Sequence, residues 1–238
     1  MSSPLPSPAG IPLPPFDAVL FDCDGVLVDS EPITHHVLRE MLHEAGWHLS
    51  AEECVRIFIG KAVRSEAARI EAHTGRPLTD AWMAEFYVRR NEALVAGLEA
   101  IPGALRAVGA VHGRLAGRIA CASGADRHKV ELQLGKVGLM PYFEGRIFSG
   151  HEVPRTKPAP DVYLAAAAAL GVPPARCLVV EDTVTGVAAG VAAGATVVGY
   201  SPADGGHDPA QALREAGAVA VIGSMDDLPD LLAAACGA

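Results

Sequence analysis

Ala18-Val19-Leu20-Phe21-Asp22-Cys23-Asp24-Gly25-Val26-Leu27-Val28-Asp29 runs from a short apolar segment straight into two carboxylates spaced two positions apart, followed by glycine. An unbroken apolar run of this length reads as a strand buried on both faces, as in a parallel sheet. Gly25 then opens a turn. Two acids at the end of a buried strand are costly unless a cation or a proton transfer uses them.

The same placement recurs downstream. Arg118–Ser123 reads as a strand ending in Ser-Gly, Arg146–Ser149 as a short strand, and Cys177–Asp182 as a buried strand with acids at its end. Thr196–Tyr200 and Ala218–Ile222 complete the strands. Helices are expected over Asp126–Leu134, Pro160–Leu170, Val184–Ala193 and Leu228–Ala235. Strand–helix alternation with continuous apolar strands predicts an α/β fold with a doubly wound parallel sheet. Gly186, Gly190 and Gly194 fall on one helical face and are expected to permit close packing on the sheet.

Between the first strand and the rest, the chain is helical and contains no convincing strand. Ser30-Glu31-Pro32 marks the first helix start, with Ser30 as cap, and Asp29 is a second candidate cap. Breaks fall near Gly46, Gly60 and Gly75-Arg76-Pro77. The expected division is a Pro-rich tail over residues 1–15, a catalytic core over 16–31 and 101–238, and an inserted all-helical cap over 32–100.

The chain has 238 residues, enough for one large domain or a domain with an insert. Its net charge of -9 and lack of a basic run argue against a nucleic-acid partner. The longest apolar stretch, around Ala165 to Leu170, is too short to cross a bilayer. The first fifteen residues hold six prolines, no Lys or Arg and no apolar centre, unlike a secretory signal. The five cysteines form no C-x-x-C pair, and Cys23, Cys121 and Cys177 lie in or beside apolar runs. That pattern fits buried thiols in a reducing cytoplasm. A monomer or weak homodimer is expected.

In open parallel sheets, ligands bind beyond the carboxyl ends of the strands. Asp22, Asp24, Ser123, Lys157 and Glu181-Asp182 all fall there or in the loops just after. The set holds a nucleophile, an acid/base, a hydroxyl donor, a fixed cation and metal-ligating acids. Mg²⁺ takes oxygen ligands in octahedral geometry, so Asp22 and Asp182 with a backbone carbonyl suit it. A phosphate would lie between that ion, Lys157, Ser123 and loop N–H groups, where charge on a transferring phosphoryl group is stabilised.

Four segments in this order resemble the haloacid dehalogenase (HAD) superfamily, in the branch with a helical cap after the first motif. They are Asp22–Glu31, Ala122-Ser123-Gly124, Lys157-Pro158-Ala159-Pro160-Asp161, and Val180-Glu181-Asp182-Thr183 with Gly186. The resemblance implies a Rossmann-like core and an aspartyl phosphate on Asp22, with Asp24 protonating the leaving oxygen. It implies Mg²⁺ held by Asp22, the Asp24 carbonyl and Asp182. Glu181 either joins them or supports them from behind. Ser123, Gly124 and Lys157 match phosphate-binding positions. Dehalogenase members lack the second aspartate, so Asp24 favours phosphoryl transfer.

Within the branch the chain is similar to sugar-phosphate phosphatases and to beta-phosphoglucomutase. Gly60-Lys61-Ala62-Val63-Arg64 places Arg64 one residue farther from the glycine than the mutase pattern. Lys61 and Arg64 are candidate substrate contacts in the cap, whereas Arg89 and Arg90 read as solvated helix-face residues. The expectation is a Mg²⁺-dependent phosphatase acting on a small phosphorylated metabolite, a sugar phosphate or sugar-acid phosphate. The alternatives are a phosphosugar mutase and, from another class, a non-enzymatic aspartyl-phosphorylation switch. The cap and Asp24 weigh against the switch, which needs neither a lid nor a leaving-group acid.

Overall fold

A computed structural model describes residues 14–59, 61–203 and 207–236. Most of the Pro-rich segment, and Gly60, lie outside these. Strands β1 (Ala18–Phe21), β2 (Ile119–Ser123), β3 (Ile147–Ser149), β4 (Cys177–Glu181), β5 (Thr196–Tyr200) and β6 (Ala220–Ile222) form one sheet. Its order is β3-β2-β1-β4-β5-β6, and every neighbouring pair is parallel. The strand order turns around at β1, so the carboxyl ends of β1 and β4 flank the crevice where such sheets take ligands.

Alternation along β1 explains the layers. Ala18 and Leu20 join a core with Val179, Val197, Tyr163 and Val187. Phe21 points the other way and meets Phe143 edge-on, ring centroids 5.9 Å apart. Every residue of β1, β2 and β4 is buried, as continuous apolar strands require.

The chain divides into two compact units: residues through Val28 with Ala100 onward, and Asp29–Glu99. The second unit is helical: α1 (Glu31–Glu44), α2 (Ala51–Phe58), a 3₁₀ turn at Val63–Glu66, α3 (Ala67–Thr74) and α4 (Asp80–Gly97). Ser50 and Glu53 form a reciprocal capping box at α2, and Thr79 caps α4. The core of this unit gathers Leu38, Met41, Trp47, Phe58, Met83 and Phe86. Three local expectations differ. Ser30 occupies the N-cap position of α1, but its hydroxyl makes no capping bond. Asp29 precedes that position and does not cap. Arg90, read as solvated, is buried, with its guanidinium 4.9 Å from the Tyr87 ring centre.

The sheet-bearing unit adds α5 (Ala104–Arg114), α6 (Arg127–Lys136), α7 (Met140–Phe143), α8 (Asp161–Ala169), α9 (Val184–Ala192), α10 (Ala210–Glu215) and α11 (Leu228–Cys236). Gly186 and Gly190 both lie in α9. A Cβ on Gly190 would come within 2.7 Å of Val197, so the glycine does allow close packing on the sheet. Gly194 lies beyond the helix end with φ +82°, and it closes α9 rather than lining its face. Cys23, Cys54, Cys121 and Cys177 are buried free thiols. No helix among the described residues is long and apolar enough to cross a membrane.

Candidate active site

Asp22 continues the β1 ladder, its N–H donating to Val180 O at 3.0 Å. The chain then turns tightly. Gly25, with φ +78°, donates to Val28 O at 2.9 Å, and Leu27 donates to Cys23 O at 2.9 Å. A side chain on Gly25 would be strained and its Cβ would collide with the Asp182 carboxylate. Glycine therefore lets the β1 turn press against the β4 end.

On β4, Glu181 is buried and fully engaged. Its Oε1 accepts from Lys157 Nζ at 2.7 Å and Tyr163 OH at 2.8 Å. Its Oε2 accepts from the N–H groups of Asp182 and Thr183 at 3.0 and 3.1 Å and from Thr183 Oγ1 at 2.9 Å. A Cβ on Gly186 would overlap this carboxylate, which is the reason for glycine there. Lys157, in the loop between β3 and α8, also donates to Asp22 Oδ1 at 2.7 Å.

The electrostatics follow from burial. Burial lifts the Asp22 carboxyl first, Lys157 opposes it, and Glu181 adds to the rise, leaving it at about 7. Burial also works to raise Glu181, but the Lys157 charge and the bonds from Lys157, Thr183 and Tyr163 hold it below its ordinary value. Burial penalises the Lys157 charge, and Asp22 and Glu181 overcome that and drive it well up.

Asp24 faces α6. Lys129 Nζ reaches its two oxygens at 2.8 and 2.9 Å, and Gln133 Nε2 donates to Oδ1 at 2.7 Å. Ser123 ends β2 in a buried position, its Oγ accepting from Ala125 N–H at 3.1 Å. The N-cap of α6 is Asp126, whose side chain accepts from Lys129 N–H. Gly124 follows Ser123 and packs near Gly150, whose added Cβ would lie 3.1 Å from Gly124 Cα.

The family model for haloacid dehalogenase-like hydrolases matches residues 16–194. The chain belongs to this family. It is 33% identical over 195 residues to 6-phosphogluconate phosphatase of Escherichia coli (strain K12), covering 81% of this chain and 86% of that protein. It is 30% identical over 183 residues to the E. coli fructose-1-phosphate phosphatase YqaB, covering 77% and 95%. A HAD family hydrolase from Deinococcus radiodurans R1, solved with bound phosphate and sodium, is 39% identical with a TM-score of 0.77, covering 93% and 96%.

In this HAD-like hydrolase the donor set suits a divalent cation. Asp22, Glu181 and Asp182 are buried and each places a carboxylate oxygen within 4.8 Å of the others. When ionised they carry three negative charges against one from Lys157, and a divalent cation would cancel the difference.

The cap residues expected to meet substrate are ion-paired inside the helical unit. Arg64 Nη2 lies 2.7 Å from Asp80 Oδ1, and Lys61 Nζ lies 3.1 Å from Glu66 Oε1. Arg89 binds Glu44 and Glu85, both at 2.7 Å.

Sequence reasoning missed Lys129, Gln133 and Tyr163. The Lys129–Gln133 spacing of four residues puts both on one helix face, a signal present in the sequence. Nothing local says that the face covers Asp24. Tyr163 sits in an alanine-rich helix as a core aromatic would, and its hydroxyl partner is eighteen residues away on β4.

Proposed function

We propose that this chain is a Mg²⁺-dependent phosphatase that hydrolyses a small phosphorylated metabolite, a sugar phosphate or sugar-acid phosphate, through an aspartyl phosphate on Asp22. The observation that carries the reading is Lys157 Nζ at 2.7 Å from both Asp22 and Glu181, beside the buried Asp22–Glu181–Asp182 cluster. The named phosphatase relatives motivate the substrate class.

Under this reading the Asp22 carboxylate attacks phosphorus, and the P–O bond to the sugar oxygen breaks. Asp24 gives its proton to that oxygen, then takes one from the water that cleaves the aspartyl phosphate. Inorganic phosphate leaves and both aspartates are restored. Lys157, held in place by Glu181 and Tyr163, neutralises charge on the phosphoryl oxygens, and Ser123 and the Gly124 backbone offer further donors. Asp22, the Asp24 carbonyl and Asp182 would hold the cation, which supplies charge neutralisation at the phosphate. Glu181 was a candidate ligand. Its two oxygens already accept five hydrogen bonds, so its role in the proposal is to fix Lys157. Lys61 and Arg64 are the proposed cap contacts to the leaving group.

The test is phosphate release over a panel of phosphorylated metabolites with Mg²⁺. Preferential hydrolysis of a sugar or sugar-acid phosphate is expected. Isomerisation of a sugar phosphate faster than phosphate release would replace the reading with a mutase, and no turnover of any ester would overturn it.

A further inference from the structure

Gln133 is fully buried on α6, between Val130 and Leu134. A buried amide is costly unless its polar atoms are used. Here Nε2 donates to Asp24 Oδ1 at 2.7 Å, while Oε1 accepts from the Cys23 thiol at 3.5 Å. The amide is thus orientated from both ends by the β1 turn. One helical turn earlier, Lys129 spans both Asp24 oxygens, with its side chain 11% exposed. A surface lysine would keep its ammonium in water. This one is drawn in against Asp24, on a helix whose start is fixed by the Asp126 cap.

We propose that Lys129 and Gln133 are positioning residues that set where the Asp24 carboxyl group points, and so whether its proton reaches the leaving oxygen. The inference rests on the reading of Asp24 as acid and base. Asp24 stands on a glycine-containing turn, and its side chain has two rotatable bonds. Donors carried on a rigid helix select one orientation, and proton transfer depends steeply on such alignment. The neighbouring α6 arginine, Arg127, is spent elsewhere, in a two-pronged pair with Glu152 at 2.6 Å.

The chemistry supplies a selective readout. An alkoxide leaving group needs a proton in the transition state, whereas p-nitrophenolate departs without one. A misaligned Asp24 therefore lowers kcat/KM for alkyl phosphates and spares it for p-nitrophenyl phosphate, because kcat/KM covers the steps through departure of the leaving group and not the later attack by water, in which Asp24 acts as base for both esters. Disturbance of the nucleophile, the metal or the phosphate site harms both.

The experiment measures kcat and KM for glycerol phosphate, or the best sugar phosphate of the panel, and for p-nitrophenyl phosphate, with saturating Mg²⁺. It compares the wild type with Asp24→Asn, Lys129→Met, Lys129→Arg and Gln133→Met, each checked for a native melting transition. For Lys129→Met, kcat/KM on the alkyl ester should fall roughly 10- to 100-fold and that on p-nitrophenyl phosphate less than about 3-fold. Lys129→Arg should recover most of the loss, and Gln133→Met should show the same selectivity more weakly. Equal losses of kcat/KM on the two esters, or no loss, in both folded Lys129→Met and Gln133→Met would overturn the inference. If Asp24→Asn is selective and those two variants are not, the inference fails and the acid–base reading stands. If Asp24→Asn itself lacks the selectivity, that reading fails first.

Discussion

Lys157 Nζ lies 2.7 Å from Asp22 Oδ1, a contact that spans 135 residues of chain. It ties the first strand to the loop after the third, and it sets the charge state from which Asp22 would act. Burial nevertheless leaves the Asp22 carboxyl raised to about 7.

That value gives a stability prediction with a definite sign. The folded carboxyl binds a proton at pH values where the unfolded one, with its ordinary value of 3.8, has lost it. Its contribution is complete below the unfolded value and disappears as pH rises through about 7. Asp22→Asn removes this loss and keeps the shape. In EDTA the variant should gain on the wild type as pH rises from 3.8 to about 7, by no more than about 4 kcal/mol in all. Its phosphatase turnover should vanish. Urea melts at several pH values check the first point, and a pH-independent difference would contradict it.

Metal removal should stop activity, and added Mg²⁺ should restore it. Mg²⁺ should also raise the melting temperature of the wild type, since a ligand at a hundredfold excess over its Kd adds about 2.7 kcal/mol. Asp182→Asn should blunt that rise. A melting temperature indifferent to Mg²⁺ in an enzyme fully active in EDTA would remove the cation from the proposal.

Two helical glycines should respond oppositely to alanine. Gly186→Ala drives a methyl group into the Glu181 carboxylate, so it should cost about 1–3 kcal/mol and loosen Lys157, with activity falling in parallel. Gly135 in α6 faces open space, and Gly135→Ala should stabilise by about 0.5–1 kcal/mol with unchanged kcat. Thermal melts of the two variants decide this directly.

Arg64→Ala should shift stability by less than about 0.5 kcal/mol, because the Arg64–Asp80 pair is exposed. If Arg64 touches the leaving group, KM for the preferred sugar phosphate should rise and substrate ranking should change. Hydrolysis of p-nitrophenyl phosphate should not. An unchanged ranking would remove Arg64 from the substrate contacts.

Most strands were legible because they are buried on both faces and so carry uninterrupted apolar text. Thr196–Tyr200 matches its expected bounds, and β2, β3 and β4 differ by a residue at one end. Helix α5 went unread although Ala104, Ala107, Val108 and Val111 repeat at helical spacing. Gly109 and Gly113 mask that pattern, because glycine weakens a helix in isolation and packing must compensate. The short α7 and α10 carry too few turns for a period to show.

The sequence by itself determined the parallel α/β core, the helical insertion after the first strand, and the acids and lysine at the strand ends. These follow from local rules: apolar runs, helical spacing, and polar residues at strand termini. Tertiary structure decided the partners. Only the sheet order brings Lys157 to Asp22 and Glu181, and only the approach of α6 to the β1 turn brings Lys129 and Gln133 to Asp24. Glu181 shows the difference most clearly. In the sequence it is one more acid beside Asp182, open to ligating a metal or to supporting the ligands. In the fold, five donors from four residues surround it, and hydrogen bonding over distances of a few ångströms is a property that linear spacing does not carry.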